Sequence, residues 1–306
     1  MGLDTTNAFF SFVEEREQIR LRKGADLPYP WTEDKILRDY KFTNVHRHHD
    51  RTSDELRKQF YGPNFGASMP SVLMNAATFR YFGTHEFASH LGWTDFEAMD
   101  DDHWERVKQL AEERLANKKR VFTGAYVITN QGISAPKQEV VVDYFLKALH
   151  KKAENLSEIA EDGYSWEAVA TEMRKIQGFG GSGFMTKEIL LDTTYTAFWL
   201  NHNNVVQHPE DGVFTFPTDW WDWTPIGPGA RRGAARVRGD DTAKPLKEDV
   251  AGEVIDELVF LQNMFLPEKW DLLAPHDIQF QLCEFDKYER VRLGQGKPRS
   301  RYRAPK

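Results

Sequence analysis

A glycine-rich segment, IQGFGGSGFMTKEI at residues 176–189, constrains the fold most, because it separates two stretches with helical patterns. Ser165 can cap the first helix, whose apolar residues recur at three- and four-residue steps: Trp166, Val169, Ala170, Met173 and Ile176. Glycines allow the tight positive-φ geometry of a hairpin, and the bare amides at the start of a second helix can bind a phosphate. The pattern predicts a helix-hairpin-helix motif that binds DNA through Gly180, Gly183 and Lys187. An ordinary helical turn that is rich in glycine is the alternative.

Helical periodicity covers most of the remaining chain. The predicted helices lie at Phe9–Leu21, from Phe96 behind a Thr94–Glu97 capping box to about Asn117, at Val140–His150, at Val254–Phe265 and in DIQFQLCEFDKYERV. The best strand candidate is VFTGAYVIT, and the Pro-, Gly- and Trp-rich stretch Asn201–Lys247 is predicted to be ordered loop with short helices. We therefore predict a mainly α fold, with a helix-hairpin-helix core like that of DNA glycosylases, long loops and little β structure. Residues 1–306 are predicted to form one helical domain, and a subdivision near residues 130–140 is the alternative.

Cysteine content and hydropathy indicate the compartment. With Cys283 as the only cysteine, neither an intrachain disulfide nor a multi-cysteine zinc site can form. The apolar runs are far shorter than the ~18 residues that a membrane span needs. The beginning of the chain lacks the basic region and the cleavage site of a secretory signal. These features predict a cytoplasmic protein with no membrane partner.

The distribution of charge permits a nucleic-acid partner, although the net charge is −7. Basic residues collect in RRGAARVR at 231–238 and in the tail KPRSRYRAPK at 297–306, which has no acidic residue. Clusters of this kind can neutralise DNA phosphates. The basic tail is therefore a candidate phosphate-contacting surface, and a solvated chain end is the alternative.

Two further segments are candidate binding sites for anions or DNA. In TPIGPGARRGAARV, Arg231 and Arg232 follow a Gly-Pro-Gly turn, where two guanidiniums beside exposed amides could clamp a phosphate. A solvated basic turn is the alternative. In FTNVHRHHDRTS, Asn44, Arg47 and Asp50 are predicted to make backbone or phosphate contacts. The spacing of His and Asp in this segment is too generic to predict a metal site, and none is predicted.

The last predicted helix carries a polar set on one face. Glu284 and Lys287 are three residues apart in LCEFDKYERVR, which brings their side chains together on a helix. Lys287 is predicted to bind substrate or DNA, and a surface ion-pair ladder is the alternative. The chain has no Walker A phosphate loop, no Gly-x-Ser-x-Gly nucleophile elbow and no His-Glu-x-x-His zinc motif. The active sites that depend on those motifs are therefore excluded.

Taken together, these segments resemble a family of bacteriophage DNA-hypermodification enzymes, the amino acid:DNA transferases, also described as α-glutamyl/putrescinyl thymine pyrophosphorylases. That family shares a helical domain with 5-hydroxymethyluracil DNA kinases. The resemblance rests on blocks that occur in family order from about Phe9 to Tyr302: EEREQIRLRKGADLPYPWTEDKILRDYKFTNVHRHHDRTS, VFTGAYVIT, QGFGGSGFMTKEILLD, IGPGARRG and LCEFDKYERVRLGQGKPRSRY. A kinase of this group should also carry a phosphate loop, and its absence favours the transferase branch.

The resemblance implies a phage-encoded enzyme of the host cytoplasm that acts on pyrophosphate-activated 5-hydroxymethyluracil in double-stranded DNA. A free amino acid or amine would displace the pyrophosphate after the base has left the helical stack. Arg231 and Arg232 would stabilise the leaving pyrophosphate, and Asp192 or Glu284 would accept the proton of the amine. Trp223 would wall the pocket or stack on bases. The only cofactor that the resemblance suggests is Mg²⁺ accompanying the pyrophosphate.

Two other functions fit the same sequence. One is a non-catalytic DNA-binding helical module that partners a 5-hydroxymethyluracil DNA kinase. The other is a base-excision DNA glycosylase, which the predicted fold would permit but cannot establish by itself.

Overall fold

The computed structural model describes residues 2–123, 128–201, 204–208, 212–268, 270–296, 298 and 300–303. Most of these residues are helical, and the strands of the described part form one two-stranded sheet. The prediction of a mainly α fold with little β structure is confirmed. The likeness of the core to DNA glycosylases stays a prediction.

In chain order, the α-helices are α1 (Leu3–Gly24), α2 (Lys35–Asp39), α3 (Arg51–Leu56), α4 (Met69–Phe82), α5 (His85–Leu91), α6 (Asp101–Ala116), α7 (Lys137–Glu139), α8 (Lys147–His150), α9 (Ala153–Gly163), α10 (Trp166–Met173), α11 (Phe184–Thr193), α12 (Pro228–Arg238), α13 (Glu248–Phe265) and α14 (Pro275–Arg292). π-Helical turns at Arg57–Tyr61 and Val140–Leu146 extend α3 and join α7 to α8. Strands β1 (Val205–His208) and β2 (Gly212–Thr215) pair antiparallel, with Val205 opposite Thr215.

The chain divides into two compact units. Unit 1 comprises Met1–Asp50 and Trp221–Lys306, and unit 2 comprises Arg51–Trp220. The units divide the chain at 50/51 and at 220/221. One domain over residues 1–306, with a subdivision near 130–140, stays a prediction.

The core of unit 1 is built from four helices whose apolar residues recur at helical spacing. Phenylalanines of α1 pack with small residues of α12 and with aliphatic residues of α13 and α14. The buried set includes Phe9, Phe10, Val13, Ala230, Ala234, Val254, Leu258, Ile278, Leu282 and Phe285. Burying these side chains is the main source of the stability of the unit.

Helix α4 is the central helix of unit 2. Every residue from Ser71 to Phe82 is buried, including the polar Ser71, Asn75, Thr78 and Arg80. The Ser68 hydroxyl caps its start, and Gly83 ends it in the left-handed conformation. Helices α9 and α11 pack against α4. The helix therefore fixes the position of α11, which follows the glycine-rich segment.

The helix start predicted at Phe96 is wrong. Helix α6 begins at Asp101 behind the Asp100 side chain, which accepts from the His103 amide at 2.9 Å, and not behind a Thr94–Glu97 capping box. The reason is tertiary: the Thr94 amide donates to Asn75 Oδ1 (3.2 Å), and the next residues form a separate 3₁₀ turn. Tertiary hydrogen bonds to α4 therefore displace the local cap.

The described part of Asn201–Lys247 contains more regular secondary structure than the predicted ordered loop with short helices, because it includes β1, β2 and the eleven-residue helix α12. Residues 124–127 of the predicted strand VFTGAYVIT lie outside the described residues. None of the described helices is long and apolar enough to cross a membrane.

Candidate functional site

The glycine-rich segment forms a tight turn between α10 and α11 in unit 2. The predicted cap is confirmed, since Ser165 Oγ accepts from the Ala168 amide at 3.1 Å. Gly178 has φ +97°, and a Cβ there would lie 2.4 Å from Cγ of Phe145. Gly183 has φ +70° and begins α11 without a side-chain cap. This turn therefore depends on glycine in the left-handed region and on close backbone approach.

The residues predicted to bind DNA differ in accessibility. A Cβ on Gly180 would lie 2.9 Å from the Arg174 carbonyl oxygen, so this position is closely packed. Gly181 and Ser182 at the tip of the turn are exposed, whereas the Lys187 side chain is only 1% exposed. The tip can present its backbone to a phosphate, and Lys187 is enclosed by protein. DNA binding by Gly180, Gly183 and Lys187 stays a prediction.

Asp192, predicted as a general base, lies in a buried polar cluster of unit 2. Its carboxylate is 0% exposed and accepts two hydrogen bonds from Arg80, one of them from Nε at 2.6 Å. The Tyr61 hydroxyl donates to Asp192 Oδ2 at 2.9 Å. Burial and the Asp192 carboxylate raise the pKa of Tyr61 well above its ordinary value, so the hydroxyl stays protonated. The geometry is that of a buried ion pair, and catalysis by Asp192 stays a prediction.

The basic segment 231–238 is helix α12, and its glycines serve helix packing. Gly227 is the N-cap, while Gly229 and Gly233 face α14. A Cβ on Gly233 would lie 2.1 Å from the Leu282 carbonyl oxygen, so only glycine allows this approach. The prediction that Gly227 and Gly229 form a turn before the helix is wrong, because Gly229 lies inside α12 and packs on α14. The close contact brings the arginines of α12 beside α14.

Arg231 and Arg232 bond to different parts of unit 1. Arg231 donates from Nε to the Leu246 carbonyl oxygen, whereas Arg232 Nε lies 3.1 Å from Asp286 Oδ2. Adjacent residues on a helix point about 100° apart, which accounts for the difference. The two neighbouring arginines therefore do not meet as a pair in the described contacts.

Asp286 instead gathers three arginines into what we call the arginine cluster: Arg232, Arg236 and Arg290. Its side chain is 1% exposed, with Arg236 Nε at 2.8 Å and Arg290 Nε at 3.4 Å. The side chains of Arg232 and Arg290 are 33% and 43% exposed. One carboxylate opposes three guanidiniums, so the cluster carries excess positive charge at the surface. Arginine in this state can bind phosphate oxygens.

Asp286, Arg236 and Arg290 were missed as a site from sequence. The spacing of Asp286 and Arg290, four residues apart on a helix, was a usable signal. The contribution of Arg236 could not be found in this way, because it depends on the packing of α12 on α14.

Glu284 and Lys287 form the predicted pair on α14. Lys287 Nζ lies 2.6 Å from Glu284 Oε2, which also accepts from the Thr43 amide at 3.2 Å. Lys287 Nζ donates to the Lys41 carbonyl oxygen at 2.9 Å and lies 4.4 Å from the centre of the Phe42 ring. Burial lowers the pKa of Lys287, although Glu284 opposes this shift. The pair fastens the segment after α2 to α14, and its part in substrate binding or catalysis stays a prediction.

Asn44, Arg47 and Asp50 are brought together in one loop of unit 1. Asp50 accepts from the Asn44 amide at 2.9 Å and from Arg47, while Asn44 Nδ2 donates to the His49 carbonyl oxygen at 2.6 Å. The Arg47 guanidinium lies 4.5 Å from the centre of the Phe280 ring on α14. These contacts close the loop and hold it on α14. DNA contacts by these residues stay a prediction.

The basic tail is partly described. Arg301 forms a bridge with Tyr40, and its guanidinium lies 5.3 Å from the centre of the Tyr40 ring. Residues 297, 299 and 304–306 of the predicted tail lie outside the described residues. Trp223, predicted to contact bases, is half-buried in unit 1. Among the described residues, no group of three or more His, Cys, Asp and Glu is arranged to hold a metal ion.

A buried histidine–aspartate pair at the start of α14 gives a pH-dependent prediction. His276 Nε2 lies 3.3 Å from Asp277 Oδ1. Burial by itself would raise the pKa of Asp277, but the attraction and hydrogen bond of His276, aided by His46 and His48, hold it at about 2. Because the folded pKa lies below the unfolded one, the stabilisation is present above about pH 4 and is lost as the pH falls through about 2.

Asp277→Asn is therefore expected to lower the free energy of unfolding at pH 7 by about 2 kcal/mol. The difference from the unsubstituted protein should shrink as the pH falls below 4. Urea unfolding at pH 7 and pH 3 measures both values, with Asp4→Asn at the exposed start of α1 as the control. A deficit in Asp277→Asn that is equal at both pH values would contradict the assignment.

Comparison with known proteins gives one family. Residues 4–297 match the family model described as "5-hmdU DNA kinase, helical domain". A 5-hmdU DNA kinase of Bacillus phage SP10 is 26% identical over 260 residues, which cover 78% of this chain and 37% of the phage protein. The chain thus corresponds to little more than a third of that relative. No solved structure matches the chain.

Proposed function

The chain belongs to the family of the 5-hmdU DNA kinase helical domain, and we propose that it acts in the modification of DNA that carries 5-hydroxymethyluracil. In the finer form of the proposal, it joins an amino acid or amine to a pyrophosphate-activated base. The amine nitrogen bonds to the exocyclic carbon, the carbon–oxygen bond breaks, and pyrophosphate leaves with the bonding electrons. A general base takes the proton that the amine loses.

The observation that carries this proposal is the arginine cluster. A leaving pyrophosphate gains negative charge in the transition state, and preorganised guanidiniums stabilise that charge. The side chains of Arg232 and Arg290 are partly exposed, and each forms an ion pair with the buried Asp286. Asp286 compensates one positive charge of three, so an anion is attracted to this surface. The same surface would also attract a DNA phosphate.

The tip of the glycine turn supports a DNA substrate in unit 2. The exposed backbone at Gly181 and Ser182 can bind a phosphate group, whereas Gly183 at the start of α11 is buried. A base that is buried in the duplex must leave the stack before an amine can reach it. Any Mg²⁺ would arrive with the pyrophosphate, whose oxygens would supply part of its coordination.

A second candidate is a DNA-binding module without chemistry of its own. It is favoured by the relative from phage SP10, which is named a kinase and of which the matched region covers only 37%. In that case the arginine cluster would hold DNA for a kinase active site elsewhere. The exposed arginines are compatible with both candidate functions. The transferase and the binding module therefore share a DNA-binding surface, and only the transferase forms an amine adduct on the DNA.

The deciding experiment incubates the protein with DNA containing pyrophosphorylated 5-hydroxymethyluracil and a pool of amino acids and amines. The DNA is then digested, and the nucleosides are analysed by mass spectrometry. A nucleoside with the mass of an amine adduct supports the transferase. DNA binding without any adduct would leave the binding module as the function.

Variants of the arginine cluster test its role. Arg232→Ala and Arg290→Ala are expected to slow transfer by roughly a hundred- to thousand-fold, the usual cost of losing one transition-state donor. Arg238→Ala is the matched control, because Arg238 lies on the same helix but pairs with Asp240 (3.1 Å). Rates are measured over a range of DNA concentrations. Full recovery of the rate at saturating DNA would make the arginines DNA anchors and contradict their role at the leaving group.

A further inference from the structure

Helix α13 has one face that the core of unit 1 does not cover. Its buried positions, among them Val254 and Leu258, pack into that core. On the opposite side, exposed residues recur at three- and four-residue steps and therefore share one face of the helix. They are Glu253, Asp256, Glu257, Phe260 and Met264. We call these five residues the α13 patch.

The apolar part of the α13 patch consists of Phe260 and Met264. These residues are 81% and 74% exposed, and among the large apolar residues that the structure describes none is more exposed than Phe260. A single exposed apolar side chain is common on protein surfaces, but two large ones, one helical turn apart, form a continuous apolar surface. A partner that covers them removes this surface from water, which favours binding.

The acidic part of the α13 patch borders the apolar part on the side of the helix start. From residue 248 to residue 268 the sequence contains acidic residues but no Lys or Arg. Partial burial and the neighbouring carboxylates of Asp222 and Glu253 raise the pKa of Asp256, and no basic group of the described residues opposes this shift. The carboxylates therefore create a local negative charge that the described residues around Asp256 do not neutralise.

The combination of exposed apolar side chains and negative charge decides which partner fits. Carboxylates repel DNA phosphates and anionic lipid headgroups, so neither DNA nor an anionic membrane complements this face. A second copy of the chain would bring the same carboxylates on its own α13 patch, with no basic residue among them. A protein surface with basic residues around apolar anchors complements both parts of the patch.

We propose that the α13 patch docks a basic amphipathic helix of a partner protein. Apolar residues of that helix cover Phe260 and Met264, and its Lys or Arg side chains pair with Glu253 and Asp256. The patch extends over about 16 Å of the helix axis, and a second helix lying along α13 keeps its own three- and four-residue steps opposite the patch over that length. Docking requires neither DNA nor the transfer reaction, so the proposal goes beyond the proposed function.

The test measures binding of a fluorescein-labelled peptide to the full chain by fluorescence anisotropy. The peptide has 18 residues, the length of α13, and consists of Leu at three- and four-residue steps and Lys at the other positions. One comparison peptide has the same composition in an order without an apolar face, and another has Glu in place of every Lys. The Leu–Lys peptide is expected to bind at least roughly tenfold more tightly than either. No binding of the Leu–Lys peptide, or equal binding of the reordered peptide, would overturn the proposal.

Two variants test the two parts of the patch separately. Phe260→Ser is expected to weaken binding of the Leu–Lys peptide roughly ten- to a hundredfold, because the apolar contact is lost. Leu3→Ser is its matched control, since Leu3 is 74% exposed on another helix. Asp256→Lys is expected to weaken binding roughly tenfold and to reduce its dependence on salt, with Glu112→Lys on the exposed face of α6 as the control. Unchanged affinity in both patch variants would place the peptide elsewhere and overturn the assignment.

Sedimentation velocity of the protein without peptide tests the second copy as the occupant. A dimer that dissociates in Phe260→Ser would assign the patch to self-association and contradict the proposal. Because Phe260 and Asp256 are exposed, both variants are expected to melt as the unsubstituted protein does, and Phe260→Ser keeps the test available if Asp256→Lys does not fold. DNA binding and any transfer activity should be unchanged in both variants, so docking and the proposed function can fail independently.

Discussion

Gly233→Ala is expected to lower the stability of the protein by ~1–3 kcal/mol or more, the usual cost of overpacking a close contact. The added Cβ would lie 2.1 Å from the Leu282 carbonyl oxygen, which is backbone and cannot turn aside. Helices α12 and α14 must therefore move apart, and the apolar residues between them lose contact. Urea unfolding measures the change in the free energy of unfolding.

Gly252→Ala is the matched control, because Gly252 also lies inside a helix of unit 1. A Cβ there would lie 3.7 Å from Cδ1 of Ile226, an ordinary van der Waals distance. Alanine in a helix interior is favoured over glycine by roughly 0.5–1 kcal/mol, so this variant should be neutral or slightly more stable. The same effect in both variants would contradict a special role for Gly233.

The contact at Gly233 also connects helix packing to the candidate function. Separating α12 from α14 moves Arg232 and Arg236 away from Asp286, which lies on α14. DNA affinity should therefore fall in Gly233→Ala and remain unchanged in Gly252→Ala. Such a result would show that the packing of two helices holds the arginine cluster.

Local patterns in the sequence predicted the helices well where the apolar spacing was regular. Helices α1, α13 and α14 lie where their periodicity placed them, and the Ser165 cap forms as predicted. Helix α12 was harder to predict, because its buried face consists of Gly and Ala apart from Val237, and these small residues give little hydrophobic periodicity. The same small residues allow its close approach to α14. A search for regularly spaced large apolar residues therefore does not detect a helix that packs through small residues.

The candidate site shows a similar limit. Arg231 and Arg232 were treated as one pair because they are adjacent in sequence, but Arg232 meets Asp286 and Arg231 meets the Leu246 carbonyl oxygen. Which arginines share a partner depends on how α12 packs against α14, and these two helices are distant in sequence. Likewise, nothing near Asp192 in sequence indicated that Arg80 pairs with it. Charge clusters were visible in the sequence, and their partners depended on tertiary packing.

Asp192→Asn is expected to destabilise unit 2 strongly. The carboxylate is fully buried and compensates the charge of Arg80, which also donates to Ser53 Oγ at 3.0 Å. Asparagine keeps the shape but leaves the guanidinium buried without its carboxylate. Glu188, with Oε2 3.8 Å from Arg80 Nη1, compensates only in part. Breaking a buried pair by neutralising one partner typically costs ~3–5 kcal/mol.

The control keeps the ion pair and removes a neighbouring hydrogen bond. Tyr61→Phe deletes the hydroxyl that donates to Asp192 at 2.9 Å, and should cost about 1 kcal/mol. The double variant Arg80→Met with Asp192→Leu removes this pair but also takes Arg80 away from the buried Glu188, so it should recover only part of the stability lost in Asp192→Asn. Urea unfolding measures the free energy of unfolding of each variant. The comparison shows whether stability depends on the Arg80–Asp192 ion pair or on the Asp192 carboxylate alone.

The same variant separates the structural role of Asp192 from the catalytic one. As half of a buried ion pair, Asp192 should lose stability on conversion to Asn, and any fall in transfer should follow the loss of folded protein. As a general base, it should lose transfer at temperatures where the variant is fully folded, and raising the pH should restore part of the rate by deprotonating the amine in solution. An Asp192→Asn protein as stable as the unsubstituted one, with transfer lost and partly recovered at high pH, would therefore contradict the ion-pair role and support catalysis.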